Sequence, residues 1–318
     1  MLSPFIINLD EEPNKRYAEL VKNFNIKKIS KIFYDLYNSL KPNIIGFDAL
    51  LSNLIKCHTN KIMYYDELVY WSKLFEIDLF KVIVMQLIYE INSGCTTFVV
   101  PIDNIPTMFR TMDWSMEFLK DITYQAIFYK NNEPIYEGVC WLGSVGIFTA
   151  KSIKYNYSLA INYRRINNFS LSQIYTNYLN AINMNWPVSY LTRYLLENNY
   201  DFEQTLHNLS NALLISPVYY IINNFNGKGA LIRRTPNTCE VKQKNIIIQT
   251  NCDNEVSEPN IMYSHERIKK LKNTLKQKEY NFFTINSIMQ IFPIKNYDTI
   301  YLSVVNKEKF NTEIFPPL

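Results

Sequence analysis

The hydrophobic spacing of this chain changes once, sharply, between Gly94 and Cys95, and that change constrains the fold more than any other feature. Before it, apolar residues recur at three- and four-residue intervals. Segments 14–24, 27–40, 47–57, 65–75 and 78–91 each read as an amphipathic helix, with Asp78 as N-cap of the last. From Cys95 onward β-branched and aromatic runs take over at 95–100, 106–114, 124–130, 135–141, 145–151 and 157–164. Polar or Gly/Pro punctuation such as Asn131-Asn132-Glu133-Pro134 separates them, which predicts hairpins. Helices return at 171–183, 188–198 and 201–214, then strands at 217–223, 229–234 and 245–250. A polar loop over 251–265, helices near 266–278 and 285–292, and a strand at 298–306 complete the chain. Blocks of strands and helices with few βαβ alternations predict an α+β fold of layered antiparallel sheets.

The balance of 47% apolar to 19% charged residues is that of a globular protein with a sizeable core. A formal charge of +4 is mild, and the one basic stretch, 267–278, reads as a solvated helix face. No nucleic-acid partner is expected. No apolar run approaches the roughly 20 residues of a spanning helix, because 79–91 is interrupted by Lys81 and Glu90. The cysteines (Cys57, Cys95, Cys140, Cys239, Cys252) lack CxxC spacing, and His58, His207 and His265 suggest no ligand set. Hence no metal and no cofactor are expected. No signal peptide is visible, so the expectation is a cytoplasmic home, with signal-independent secretion the alternative. The glycines of 143–146 lack the length and helix start of a phosphate loop and read as a tight strand connection.

Cys95 follows Asn92-Ser93-Gly94 and opens the first β-branched run. Either this is an ordinary loop-to-strand junction, or the chain is cut before Cys95. If cut, the Cys95 α-amine, with a reference pKa near 8, would lie beside its own thiol, so one residue would hold both nucleophile and base. The thiolate is the attacking species. A guanidinium such as Arg110 would favour it, and a carboxylate such as Asp113 could hold the amine. A straight strand places Arg110 and Asp113 on opposite faces; a bulge or a turn near Met112 would bring them together.

With these residues in view, the chain resembles the acid ceramidase and N-acylethanolamine acid amidase family, a branch of the N-terminal-nucleophile hydrolases related to choloylglycine hydrolases. The resemblance covers nearly the whole length. Residues 5–17 are similar to the opening of the family's small subunit, and 87–99 to its helix end and cleavage junction. Arg110-Thr111-Met112-Asp113 stands for its Arg-Asn-x-Asp element, and 143–150 for its Gly-x-x-Gly-x-x-Thr-Gly turn. Residues 186–222 are similar without interruption, and 249–253 stand for its Thr-Asn-Tyr-Asp.

The resemblance implies an αββα sandwich, with residues 1–94 as a helical propeptide that becomes the α-subunit and 95–318 as the catalytic β-subunit. It implies self-cleavage between Gly94 and Cys95, giving an α/β heterodimer from one chain. Cys95 would be the nucleophile, Asp113 the partner of its α-amine, Arg110 the support of thiolate and substrate, and Asn251 the oxyanion donor. Arg267 lies near a further family arginine, and Tyr163 stands where the family often carries an acidic residue; both are assigned to substrate binding. Also unlike the family, Ala150 replaces a turn glycine and Cys252 a tyrosine. The implied activity is hydrolysis of the N-acyl bond of a lipid amide, ethanolamide- or ceramide-like, through a Cys95 thioester. The alternative is a catalytically silent, uncleaved lipid-binding or interaction protein that keeps the fold. Segment 44–56 serves either as an interfacial helix for peripheral membrane contact or as a core helix of the N-terminal bundle.

Overall fold

The computed structural model describes residues 3–41, 47–90, 93–166, 171–253, 260–275 and 281–316. Strand β1 (Phe5–Asn8) opens the chain. Helices α1 (Pro13–Arg16), α2 (Ala18–Val21), α3 (Ile26–Leu40), α4 (Phe47–Cys57), α5 (Tyr65–Phe75) and α6 (Leu79–Met85) follow. Strands β2 (Gly94–Ile102) and β3 (Ile105–Asp113) lead through helix α7 (Phe118–Ile122) to β4 (Thr123–Lys130), β5 (Glu133–Trp141), β6 (Thr149–Ser152) and β7 (Tyr157–Tyr163). Next come α8 (Leu171–Ile182), α9 (Val188–Glu197), α10 (Phe202–Asn211), β8 (Val218–Asn224), β9 (Gly229–Arg234), β10 (Cys239–Lys244) and β11 (Ile247–Gln249). Helices α11 (Ser264–Thr274) and α12 (Phe282–Met289) and strands β12 (Thr299–Val305) and β13 (Phe310–Ile314) close the chain.

The strands form two sheets, one of order β1-β4-β5-β6-β7-β8-β9-β10 and one of order β11-β2-β3-β12-β13. All pairings are antiparallel except β1 with β4. The sheets stack, since Thr97 of β2 bonds Asn162 of β7 and Arg110 of β3 bonds Thr149 of β6. Helices α9 and α10 cover the outside of the larger sheet. Leu271, Ile285 and Met289 of α11 and α12 pack with Phe98, Val100 and Phe109 outside the smaller one. The fold is therefore α+β in four layers, an αββα sandwich. Burial on both faces explains why β2 and β3 read as near-continuous apolar runs.

The turn chemistry is local and legible. Asn131 and Asn132 both take positive φ between β4 and β5, as Asp103 and Asn104 do between β2 and β3. Two left-handed residues match the twist of a two-residue hairpin. In the β5–β6 connection, Gly143 has φ +84, and a side chain at Gly146 would meet Ser189 Oγ at 2.0 Å. The first glycine sets the turn; the second lets the start of α9 close on it.

Several expectations need correction. The helix over 14–24 breaks at Tyr17, whose φ/ψ of −103/3 is not helical. The helix expected over 78–91 ends at Met85, and a 3-10 turn at Ile88–Glu90 follows. There the Gln86 side chain donates to the Val82 and Gly143 carbonyls and accepts from Val145 N–H, tying the helix end to the β5–β6 connection. Asp78 precedes the helix but makes no cap bond; its carboxylate pairs with Lys81 at 2.7 Å. The strand expected over 145–151 shrinks to β6, and α11 starts at Ser264, inside the expected loop. Residues 44–46, 91, 254–259 and 276–278 of the expected segments lie outside the described residues.

Candidate active site

Cys95 lies on β2 directly opposite Met112 of β3, fully buried. Its side chain points between the sheets, as those of Thr97, Arg110 and Met112 do. Arg110 Nη2 donates to Cys95 Sγ at 3.3 Å and to the Ile161 carbonyl at 2.6 Å. Its Nη1 donates to Thr149 Oγ1 and to the Tyr301 hydroxyl. These partners carry no formal charge, so the guanidinium places an uncompensated positive charge beside the sulfur. Met112 Sδ, at 3.7 Å, and the Tyr89 hydroxyl, at 3.6 Å, complete the surroundings of the thiol.

Asp113 lies on the opposite face of β3, as its odd separation from Arg110 requires. No bulge in β3 turns it; the register irregularity falls in β12, between Thr299 and Tyr301. Arg110 reaches the Cys95 thiol directly between the sheets. Asp113, on the outer face, is linked to Cys95 through Arg267, whose Nη1 donates to both the Asp113 carboxylate and the Cys95 carbonyl. Asp113 pairs across the ladder with Gly94. A Cβ at Gly94 would lie 3.1 Å from Asp113 Cβ, 3.2 Å from its carbonyl oxygen and 2.4 Å from Met262 Sδ. The Asp113 carboxylate accepts from Thr299 at 2.7 Å and from Arg267 Nη1 at 3.2 Å. Burial raises this carboxyl above its ordinary value, and the neighbouring Arg267 offsets only part of the rise.

Asn251 holds the backbone of the junction. Its Oδ1 accepts from the Cys95 N–H at 2.8 Å, and its Nδ2 donates to the carbonyls of Tyr163 at 2.8 Å and Ser93 at 3.3 Å. In the intact chain its donor end is therefore engaged by backbone rather than facing an open oxyanion position. Arg267, on α11, occupies the centre and not the rim. Fully buried, it donates from Nη1 to the Cys95 carbonyl at 2.6 Å and to Thr96 Oγ1, and from Nη2 to Asn251 Oδ1 at 3.0 Å. Tyr163 contributes its backbone carbonyl, while its phenol bonds Arg165.

Beyond Tyr89 lies an apolar cavity lined by Phe33, Phe75, Trp114, Trp141 and Phe148. Tyr89 forms part of that lining as well as touching the thiol, so it separates cavity from sulfur. Sequence reasoning gave no role to Tyr89, Thr149, Tyr301 or Thr299. Tyr89 and Thr149 fall within the stretches that carry the family resemblance; Tyr301 and Thr299 have no local signal. Burial pushes the Cys140 thiol up to about 12, which suits a core residue. Among the described residues no group of three or more His, Cys, Asp or Glu side chains could hold a metal ion.

No family model matches the chain. An uncharacterized protein of Acanthamoeba polyphaga mimivirus, R632, is 32% identical over 302 residues, covering 92% of this chain and 93% of its own. The acid ceramidase of Homo sapiens is 24% identical over 343 residues, covering 98% and 85%. Among solved structures, the N-acylethanolamine-hydrolyzing acid amidase ortholog of Caenorhabditis elegans superposes with a TM-score of 0.59 at 22% identity, over 70% of this chain and all of that one. With the layered fold and the ordered motifs, these likenesses place the chain in the acid ceramidase and N-acylethanolamine acid amidase family of N-terminal-nucleophile hydrolases.

Proposed function

We propose that the chain cuts itself between Gly94 and Cys95 and then hydrolyses the N-acyl bond of a lipid amide through a thioester on Cys95. One observation carries this reading: three groups of a single buried residue are each held by a different polar side chain. Arg110 holds the sulfur, Asn251 the amide N–H and Arg267 the carbonyl of Cys95. A merely structural cysteine needs none of these.

In self-cleavage the Cys95 sulfur adds to the Gly94 carbonyl carbon. The S–C bond forms, the C–N bond breaks, and the departing nitrogen takes the proton to become the Cys95 α-amine. Water hydrolyses the thioester, leaving fragments 1–94 and 95–318. Gly94 presents no side chain against this attack. Release of the Ser93 carbonyl would free one donor of Asn251, which supports an oxyanion role for it in the cleaved enzyme. Turnover repeats the sequence on an external acyl group: the sulfur takes the acyl, the amine leaves with a proton, and water frees the acid. Arg110 offsets charge on the sulfur, and Asp113, across the ladder from Gly94, is the proposed partner of the new amine. The apolar cavity next to Tyr89 suits the acyl chain. The names of the relatives, acid ceramidase and N-acylethanolamine-hydrolyzing amidase, support a lipid amide as substrate. The N-terminal helices are the proposed site of peripheral membrane contact.

The fragments have reason to stay together as a heterodimer. Strand β1 adds itself to the sheet beside β4, and Glu67 of α5 accepts from Arg193 of α9 at 2.6 and 2.8 Å. Purified protein should hydrolyse a fluorogenic fatty amide, and Cys95→Ala should not. Equal turnover by the two proteins removes Cys95 from the chemistry. An intact chain that binds the amide without hydrolysing it supports the silent lipid-binding alternative, which the closed packing of Tyr89 on the thiol favours.

A further inference from the structure

Strand β12 changes faces at a single residue. Thr299 pairs with Asp113 and Tyr301 with Met112, so two residues of β3 oppose three of β12, and Ile300 is the extra one. Beyond it the strand alternates regularly. Tyr301 and Val305 belong to the core cluster that holds Cys95 and Met112, Leu302 and Val304 to the cluster under α11 and α12. Without the extra residue Thr299 would share the face of Tyr301, because residues two apart in a strand point the same way. With it, Thr299 donates outward to the Asp113 carboxylate at 2.7 Å, and the Tyr301 hydroxyl accepts inward from Arg110 Nη1. One bulge thus lets β12 reach two charged side chains on opposite faces of β3. Bulges beside reactive centres re-aim side chains in this way, and are built features rather than packing defects.

The donors of Arg110 show what the inward arm does. Nη2 directs its hydrogens to the Cys95 sulfur and the Ile161 carbonyl, and Nη1 to the Thr149 and Tyr301 hydroxyls; Met112 Sδ lies farther off, at 4.0 Å. The two hydroxyls share a further hydrogen bond of 2.8 Å. Each terminal N–H has its own acceptor, so one orientation of the planar fork satisfies all four. Cys95, Met112 and Tyr301 stand in one row across β2, β3 and β12, so a single ladder fixes both the sulfur and this support of its cation. Burial holds the Tyr301 phenol above its ordinary value. It therefore accepts as a neutral hydroxyl and leaves the guanidinium charge to the sulfur.

Resting on the amidase reading above, we infer that Tyr301 is a positioning residue for that reaction: through Arg110, and with Thr149, it keeps Nη2 on the Cys95 sulfur, and the Ile300 bulge turns its hydroxyl to that place. Tyr301 forms and breaks no bond to the substrate. Its effect is on the thiolate, which a fixed guanidinium favours and a swinging one favours less.

The test compares self-cleaved wild-type enzyme with Tyr301→Phe, which keeps the ring and removes only the hydroxyl. Turnover of a fluorogenic fatty amide is measured together with the pH dependence of inactivation by iodoacetamide, which reports the Cys95 thiolate. Tyr301→Phe should lower kcat by about tenfold or more, the scale of one hydrogen bond to a charged group, with KM within about threefold of wild type. The midpoint of its inactivation profile should move up by about one pH unit. Thr149→Val should move the midpoint in the same direction and guards against a first variant that fails to fold or to cut; Thr149→Ser should lose less than Thr149→Val. A fall in kcat with the midpoint unmoved overturns the inference, because a merely structural tyrosine would do that. Unchanged kcat and midpoint overturn it as well and leave the amidase reading intact. A wild-type protein that neither cuts itself nor cleaves the amide refutes the amidase reading, and the inference with it.

Discussion

Glu90 sits four residues before the junction, 4% exposed. Its carboxylate accepts from Val188 N–H at 2.9 Å and bonds the Ser216 hydroxyl. The Tyr163 and Tyr220 phenols also face it. Burial pushes its carboxyl from an ordinary 4.5 up to about 7, against the opposing pull of Ser216 and Val188. Between those values the folded chain retains a proton that the unfolded chain has released. Stability is therefore full below pH 4.5 and falls as pH rises toward about 7. At about 1.4 kcal/mol per tenfold change in proton affinity, the ionised form costs about 3 kcal/mol of folded-state stability. The perturbation is Glu90→Gln in the uncleaved Cys95→Ala chain. Glutamine keeps an acceptor for Val188 N–H and offers a donor to Ser216, but it carries no charge at any pH. At pH 8 the glutamine variant should unfold higher than its parent by roughly 6 °C, taking about 2 °C per kcal/mol for a chain of this size. At pH 4.5 the two midpoints should agree within about 1 °C. Calorimetric melts at both pH values decide it. Parallel pH slopes for the two chains would refute the reasoning, because Glu90 would then not be the group that titrates.

Asn251→Ala should lose about 2–3 kcal/mol of stability by leaving the Cys95 N–H and two carbonyls without partners, and its self-cleavage and turnover should each fall by about a hundredfold; fragment and product rates measure these losses. Arg110→Lys keeps a charge but loses the fork that spans Cys95, Thr149 and Ile161, so it should slow turnover more than processing. Asp113→Asn should slow both, and equal losses in both rates for the two variants would merge their roles. Glu67→Ala should destabilise the chain by about 3–5 kcal/mol, because it leaves Arg193 buried with Glu197 alone among its carboxylates. After cleavage of that variant, fragments 1–94 and 95–318 should separate on size exclusion under conditions that keep wild-type fragments together.

The fold was legible wherever local chemistry and global packing agree. The period change at Cys95 marks the start of the β-layers, and Asn131-Asn132 marks a hairpin because left-handed residues favour asparagine. Strand β1 was not legible, since four residues pair in parallel with β4 some 120 positions away. Strand β10 reads Cys-Glu-Val-Lys-Gln-Lys on the open edge of its sheet, where no buried face imposes an apolar alternation. At the site, the parity of Arg110 and Asp113 correctly placed them on opposite faces. What the sequence could not reveal is that Arg267 bridges the Asp113 carboxylate to the Cys95 carbonyl, so that no bulge in β3 is needed. Arg267 reads in sequence as a substrate-binding residue, because its reach to the Cys95 carbonyl depends on the direction of α11. Asn251 reads as a loop amide of little packing value in sequence; burial at 1% and bonds to three backbone groups show that it is structural as well.

The central claim is that Cys95 becomes a chain terminus. The most direct measurement is the intact mass of purified protein after incubation across pH 4 to 8, beside Cys95→Ala held under the same conditions. The account predicts two wild-type masses, those of residues 1–94 and 95–318, and one uncut mass of 37.7 kDa for the variant. A wild-type chain that stays whole at every pH, or a Cys95→Ala chain cut at the same bond, would contradict it.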